Sequence, residues 1–319
     1  MDDLTRPSKL PNQGADRSLG RRRSLWAWQA RASPYLFLLP FLVVFLVFML
    51  YPLGRSIVLS FYNSAGPQKK IFVGIRNYSF IIRDWLFWKA VLNTLMFTIL
   101  YLILQIPLSL GLALLLNSRS VRFRNFFRFA FFTPYLVGNV FVAVIFILLL
   151  HPRQGLVNQI IGAVFPWIGT EVNWRGSSVL ALPALVLASL WLTVGYGMIY
   201  FLAALQAVDH GLYEAAEVDG AGRWGKFFHI TLPSIRPVLI FILLVGTIGS
   251  LQLFELPYVF FDPPTGPGLS GITIVMYLYQ QGFEAGNIGY AAAIGWVLVL
   301  MISFVAFAQL KVTGALRDA

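Results

Sequence analysis

Two groups of residues in this 319-residue chain have types and spacings suited to chemistry. The first is Glu214-Ala215-Ala216, then Asp219-Gly220, then, after nine intervening residues, Ile230-Thr231-Leu232-Pro233. It forms a polar island between two long apolar runs. Its chemistry is that of docking: small Ala side chains admit a second backbone at close range, and the Glu214 carboxylate can accept paired hydrogen bonds from an Arg of a partner. The second group lies inside the apolar runs: Asn139, Trp191, Thr193, Tyr196, Thr247, Ser250, Gln252 and Glu255. Polar groups there cost free energy unless they find partners or line a wet cavity. Rings and neutral hydrogen-bonding groups suit a sugar, whose C–H faces stack and whose hydroxyls need partners. Hydrogen bonding between helices is the competing use of the same side chains.

Other signals fail on context. Gly220-Ala221-Gly222-Arg223-Trp224-Gly225 fits G-x-G-x-x-G, but no strand precedes it and no βαβ unit follows. Phe227 stands after Lys226, where a phosphate loop needs Ser or Thr to hold Mg²⁺. His151, His210 and His229 lack the spacing of metal ligands, and the absence of Cys removes thiolate chemistry and Cys-based metal sites. No cofactor, metal or catalytic residue is expected.

The elements that must carry these groups follow from composition. Hydrophobic residues make up 58% of the chain and charged residues 12%, about half the usual charged share of a soluble domain, roughly 25%, so most of the surface belongs in lipid. Six runs, 35–54, 90–116, 129–150, 179–208, 237–261 and 288–310, reach the ~20 residues that cross a bilayer as a helix. Glu255 is the one charged residue in them. Satisfying the backbone in hydrocarbon requires helices, because no run alternates with the period of a strand. The fold class is therefore all-α integral membrane with six transmembrane helices. Segments 1–33, 117–128, 209–236 and the C-terminal end carry sixteen of the 24 Lys and Arg. The positive-inside rule then makes both termini and the polar island cytoplasmic. The net charge of +11 flanks the spans, which suits anionic lipid headgroups and not nucleic acid. Residues 1–33 read as a disordered basic cytoplasmic tail and 34–319 as one transmembrane domain.

Within 209–236, Asp209 is placed to cap a short helix and Gly220 to end it in a left-handed turn. A second helix puts Trp224, Phe227 and Phe228 on one face, with Pro233 and Pro237 ending the segment and starting span five. Glu255 falls near the outer end of that span. The outer segment 55–89 reads as an interfacial aromatic anchor.

The spacing through Glu214, Ala215, Ala216, Gly220, Ile230 and Leu232-Pro233 resembles the EAA signature of permease subunits in ATP-binding-cassette (ABC) importers. Further phrases resemble the carbohydrate branch of these MetI-like permeases, related to the maltose-transporter membrane subunits. They are Tyr51-Pro52 through Ser60-Phe61-Tyr62, Phe72-Val73-Gly74 through Asn77-Tyr78, Asn93-Thr94, Arg128 through Pro134-Tyr135, Leu251-Gln252 with Tyr258, and Gly289-Tyr290-Ala291-Ala292. Pro264-Thr265-Gly266-Pro267 departs from the family's usual Gly-Gly-Pro. The resemblance implies a multi-pass subunit of the cell (inner) membrane that imports sugar. Its implied partners are two copies of an ATPase, a second permease and an extracytoplasmic solute-binding protein, with ATP hydrolysed on the separate ATPase subunits. Glu214, Ala215, Ala216, Asp219, Gly220, Ile230, Leu232 and Pro233 would then be the ATPase-coupling residues. Asn139, Trp191, Tyr196, Thr247, Ser250, Gln252 and Glu255 are the candidates for the substrate pathway. A free-standing secondary transporter or channel, and an ABC importer for another small solute, are the alternatives. The docking island and the lack of an ionisable relay deeper than Glu255 oppose the first. A membrane enzyme would need a cluster of acid, base or metal ligands, and none is legible.

Overall fold

The computed structural model describes residues 33–64, 70–118, 121–165, 167 and 171–314. It divides after Val58 into two units. The described part of the first belongs to helix α1 (Ser33–Ser60), whose large apolar side chains are exposed. The expected tail 1–33 lies, apart from Ser33, outside the described residues.

The second unit opens with a short antiparallel pair, β1 (Tyr62–Ser64) and β2 (Lys70–Phe72), in which Tyr62 faces Phe72. This hairpin departs from an all-helical reading. Asn77 secures it by donating to the carbonyls of Ser60 and Tyr62, while Ser60 and Tyr78 share a hydrogen bond. The aromatic segment expected only to anchor at an interface is thus partly folded, with Asn77 and Tyr78 in helix α2 (Arg76–Arg83).

The remaining helices are α3 (Trp85–Asn117), α4 (Arg124–Val137), α5 (Asn139–Leu149), α6 (Leu156–Val164), α7 (Ala181–Gln206), α8 (His210–Val218), α9 (Arg223–Leu251), α10 (Glu255–Phe260), α11 (Ile274–Tyr279) and α12 (Ile288–Val312). Five, namely α1, α3, α7, α9 and α12, are long and apolar enough to cross a membrane singly. The third apolar run is not one straight helix: α4 and α5 meet at 104°. Gly138 makes that bend at φ 87°, ψ 154°, a conformation that side chains with a Cβ avoid.

The fifth run differs at both ends from the boundaries read in the sequence. Its helix starts at Arg223, so Pro233 and Pro237 lie inside it. A wide turn at Phe227–Thr231 absorbs the first proline, because the Leu232 N–H reaches back five residues to the Phe227 carbonyl. Such a turn relieves the clash that a proline ring makes with the carbonyl four residues earlier. At the other end the helix stops at Leu251, and Glu255 begins the separate helix α10. Glu255 therefore belongs to a helix break and not to the end of a continuous span.

α7 is the central element, lying along α3 and against α4. Gly195 permits the second contact, since a Cβ there would come within 1.7 Å of the Phe131 carbonyl oxygen. Three apolar clusters stack along these helices. One joins Phe97 and Tyr101 of α3 to α5, α7 and α10. Another joins the start of α3 to α11 and α12. The third joins Leu110, Ala113 and Leu116 of α3 to the ends of α7 and α9. The last also takes in Tyr213 and Ile230, so the polar island is packed onto the same end of the bundle.

Candidate functional site

The island is a built turn. Asp209 accepts a hydrogen bond from Gly211 N–H at 2.9 Å and so caps α8. At the other end Gly220 adopts φ +75°. Ala221 N–H donates to the Ala216 carbonyl at 2.8 Å and Gly220 N–H to that of Glu217 at 3.1 Å. These two bonds close a Schellman cap, which requires the left-handed residue. Lys226 then pairs with Glu217 at 2.5 Å, and Tyr213 shares a hydrogen bond with Thr231 at 2.9 Å. The hydrogen bond and charge of Lys226 hold the Glu217 carboxyl below its usual range.

These ties fix α8 relative to the start of α9. Neither pair was evident from sequence, because each links residues 9 and 18 apart across a turn of unknown geometry. Glu214, Ala215, Asp219 and Gly220 are exposed, and Ala216 is half-buried. Ile230 instead packs inward on the apolar cluster, beside half-buried Leu232, while Pro233 is exposed. The eight residues thus divide into an outward face and a root. Trp224, stacked on Phe228 at 6.0 Å, is 75% exposed and Val218 is 89% exposed. Large apolar groups presented this way, between polar neighbours, suit a protein surface that covers them.

The second feature is a cavity of about 820 Å³ between α3, α7, α9, α11 and α12. That is within the usual range for small-molecule sites, roughly 300–1,000 Å³. Asn139, Thr193, Tyr196, Ser250, Gln252 and Glu255 line it, as do both helix breaks. Asn139 starts α5 after the Gly138 bend, Glu255 starts α10 after the 252–254 break, and the Asn139 amide donates to Glu255 at 2.9 Å. Thr193 accepts from Tyr101 at 2.9 Å, and the Tyr196 ring stacks on Tyr135 at 4.7 Å.

Two other pathway candidates lie outside the lining. Trp191 packs against Phe146, and Thr247 accepts from Gln309 at 2.7 Å, tying α9 to α12. Tyr101, Gln105, Tyr135 and Ser189 line the cavity and were not among the pathway candidates read in the sequence. Each follows an aromatic or apolar residue four positions earlier, namely Phe97, Tyr101, Phe131 and Leu185, a pattern that reads equally well as core. Among the described residues the lining contains no Lys or Arg.

A third polar cluster also escaped the sequence reading. Asp84 caps α3 by accepting from Leu86 and Phe87 N–H through one carboxylate oxygen. The other accepts from Tyr277 of α11 and from Tyr290 of α12, the latter at 2.6 Å. One 9%-exposed carboxylate therefore joins three helices.

Residues 105–313 match the family described as binding-protein-dependent transport system inner membrane component. The chain belongs to that family. The arabinooligosaccharides transport system permease protein AraP of Bacillus subtilis strain 168 is 38% identical over 291 residues, 91% of each chain. The lactose transport system permease protein LacF of Rhizobium radiobacter is 36% identical, over 86% of this chain and 92% of its own. Among solved structures, a chain of a bacterial alginate ABC transporter, crystallised with a periplasmic protein carrying an alginate pentasaccharide, superposes with a TM-score of 0.76. It is 25% identical, over 90% of this chain and 96% of its own. The chain is thus a permease subunit of a binding-protein-dependent importer and a multi-pass component of the cell membrane, as the EAA resemblance implied.

Proposed function

We propose that this permease carries short neutral oligosaccharides, with the 209–236 segment as its handle for an ATPase. α1, α3, the bent pair α4–α5, α7, α9 and α12 serve as six spans with both termini in the cytoplasm. The outward face of α8, with Trp224 and Phe228, enters a groove on one of the two ATPase copies. A second permease completes the pathway, and an extracytoplasmic solute-binding protein delivers the sugar. Closure of the ATPases moves the handle, and the spans exchange inward for outward access around the cavity. ATP hydrolysis belongs to the partner subunits.

The observation that carries the substrate class is the cavity wall, in which the described residues present stacked rings, amides and hydroxyls, one carboxylate, and no cation. An anionic solute would ordinarily be met by positive charge, whereas sugar hydroxyls are met by such neutral groups. The sugar relatives AraP and LacF support the same reading. The test is uptake by the reconstituted complex across neutral oligosaccharides, amino acids and phosphate esters. Preference for an arabinooligosaccharide or lactose is expected, with Tyr196→Ala and Gln252→Ala impairing uptake but not assembly. Preference for a phosphate ester would overturn the reading.

A further inference from the structure

Gln105 is 2% exposed, lines the cavity, and has a side-chain oxygen with no hydrogen-bond donor among the described residues. Its orientation follows from its neighbour. Ser109 has one hydroxyl proton, and that proton is given to the Val194 carbonyl at 3.0 Å. Toward Gln105 the Ser109 oxygen can only accept, so the amide turns its nitrogen to Ser109, at 3.4 Å, and its oxygen away. Gly197 makes the space for this arrangement: a Cβ there would lie 2.6 Å from Ser109 Oγ and 2.7 Å from Gln105 Nε2. A buried amide oxygen without a donor is uncommon, since the large majority of buried side-chain polar atoms in folded proteins are paired.

The position on α3 says when a solute would meet it. Phe97, Tyr101 and Gln105 follow one another at intervals of four, so they form one stripe along the cavity, about 12 Å long at 1.5 Å per residue. Tyr101 is already engaged with Thr193. Gln105 is the member nearest Leu110, Ala113 and Leu116, which pack with the root of the 209–236 segment. The oxygen is covered in the present conformation, so a solute reaches it only in a conformation in which the surrounding helices have moved apart.

We infer that Gln105 is a specificity-determining contact on the exit side of the pathway, its oxygen accepting a hydrogen bond from one hydroxyl of the departing sugar. The inference rests on the saccharide reading above. An acceptor with no acidic proton to give favours neutral hydroxyl donors over carboxylate or phosphate oxygens, which would leave two acceptors facing each other.

The test uses the full reconstituted complex and, as probe, whichever of lactose or arabinotriose the wild type takes up, together with its single-deoxy analogues. Gln105→Met keeps the length of the side chain and removes both polar atoms. KM is expected to rise roughly three- to tenfold, the span of one net hydrogen bond. The wild type's discrimination against one deoxy analogue should disappear in the variant. Gly197→Ala, which crowds the amide from the other side, should raise KM in the same direction and serves if Gln105→Met does not assemble. An unchanged KM and unchanged ranking of analogues in either assembled variant would mean that the oxygen serves a resident water only, and overturns the assignment. No uptake of any neutral sugar by the wild type would instead remove the saccharide reading itself, and the role of Gln105 with it.

Discussion

Replacing Gly220 isolates the backbone geometry of the turn after α8 from everything else in it. A Cβ added there would meet nothing within 4 Å, so no steric clash with neighbours contributes. What remains is φ +75°, which costs an ordinary L-residue about 1–2 kcal/mol. That cost lowers the population of the Schellman-capped turn about 5- to 30-fold relative to competing turn geometries. The order of severity follows from conformation alone. Asn, which visits the left-handed region, should be mildest, Ala intermediate, and β-branched Val worst. If the turn delivers ATPase closure to the spans, transport per assembled complex should fall in that order, with insertion unchanged. The assay is sugar uptake in proteoliposomes beside ATP hydrolysis by the same preparation; uncoupled variants should hydrolyse ATP without proportionate uptake. Equal transport by the Val and Gly forms would refute the role of the turn. Equal losses for Asn and Val would refute the conformational argument while leaving the position important.

Three further outcomes are expected. Asp84→Ala removes an N-cap, worth about 0.5–2 kcal/mol, and strands the Tyr277 and Tyr290 hydroxyls. The purified complex should therefore melt at lower temperature than either Tyr→Phe single variant; a Tm equal to wild type would count against the three-helix junction. Because the folded Glu217 carboxyl is held below its unfolded value, its pairing with Lys226 stabilises the turn at neutral pH and is lost as pH falls through the depressed folded value. Protection factors of the amides over residues 217–226, taken relative to the base-catalysed intrinsic exchange rate at each pH, should fall on acidification in wild type but stay flat in Glu217→Gln, and parallel profiles would contradict the linkage. For topology, single Cys residues at exposed Gln154 and Glu171 should react with an impermeant thiol reagent on intact cells, whereas Cys at exposed Asn125 and Asp219 should not. Labelling at Asp219 would reverse the orientation. Ser64 is unsuited to this test, being 1% exposed and accepting from Gly289 N–H at 3.1 Å.

The apolar runs and the EAA-like turn were legible because each is local. Length and composition define a run, and the Asp209 cap and Gly220 stop act within a few residues. The breaks were not legible, since a run such as 129–150 has the same composition whether straight or bent by 104°. Pro134 and Gly138 stood in that run, yet proline and glycine are also tolerated in continuous membrane helices. Prolines misled in the opposite direction at 233 and 237, where a widened turn carried the helix through a place that reads as its start. The cavity shares this blindness. Glu255 and Asn139 are 116 residues apart, and each reads as a lone polar intruder until two helix breaks bring them within 2.9 Å. Membrane proteins hold irregular backbone at depth only where protein or water satisfies it. Both breaks border the cavity that five of the seven pathway candidates line, so the positions hardest to read as helix are the ones proposed to hold a solute.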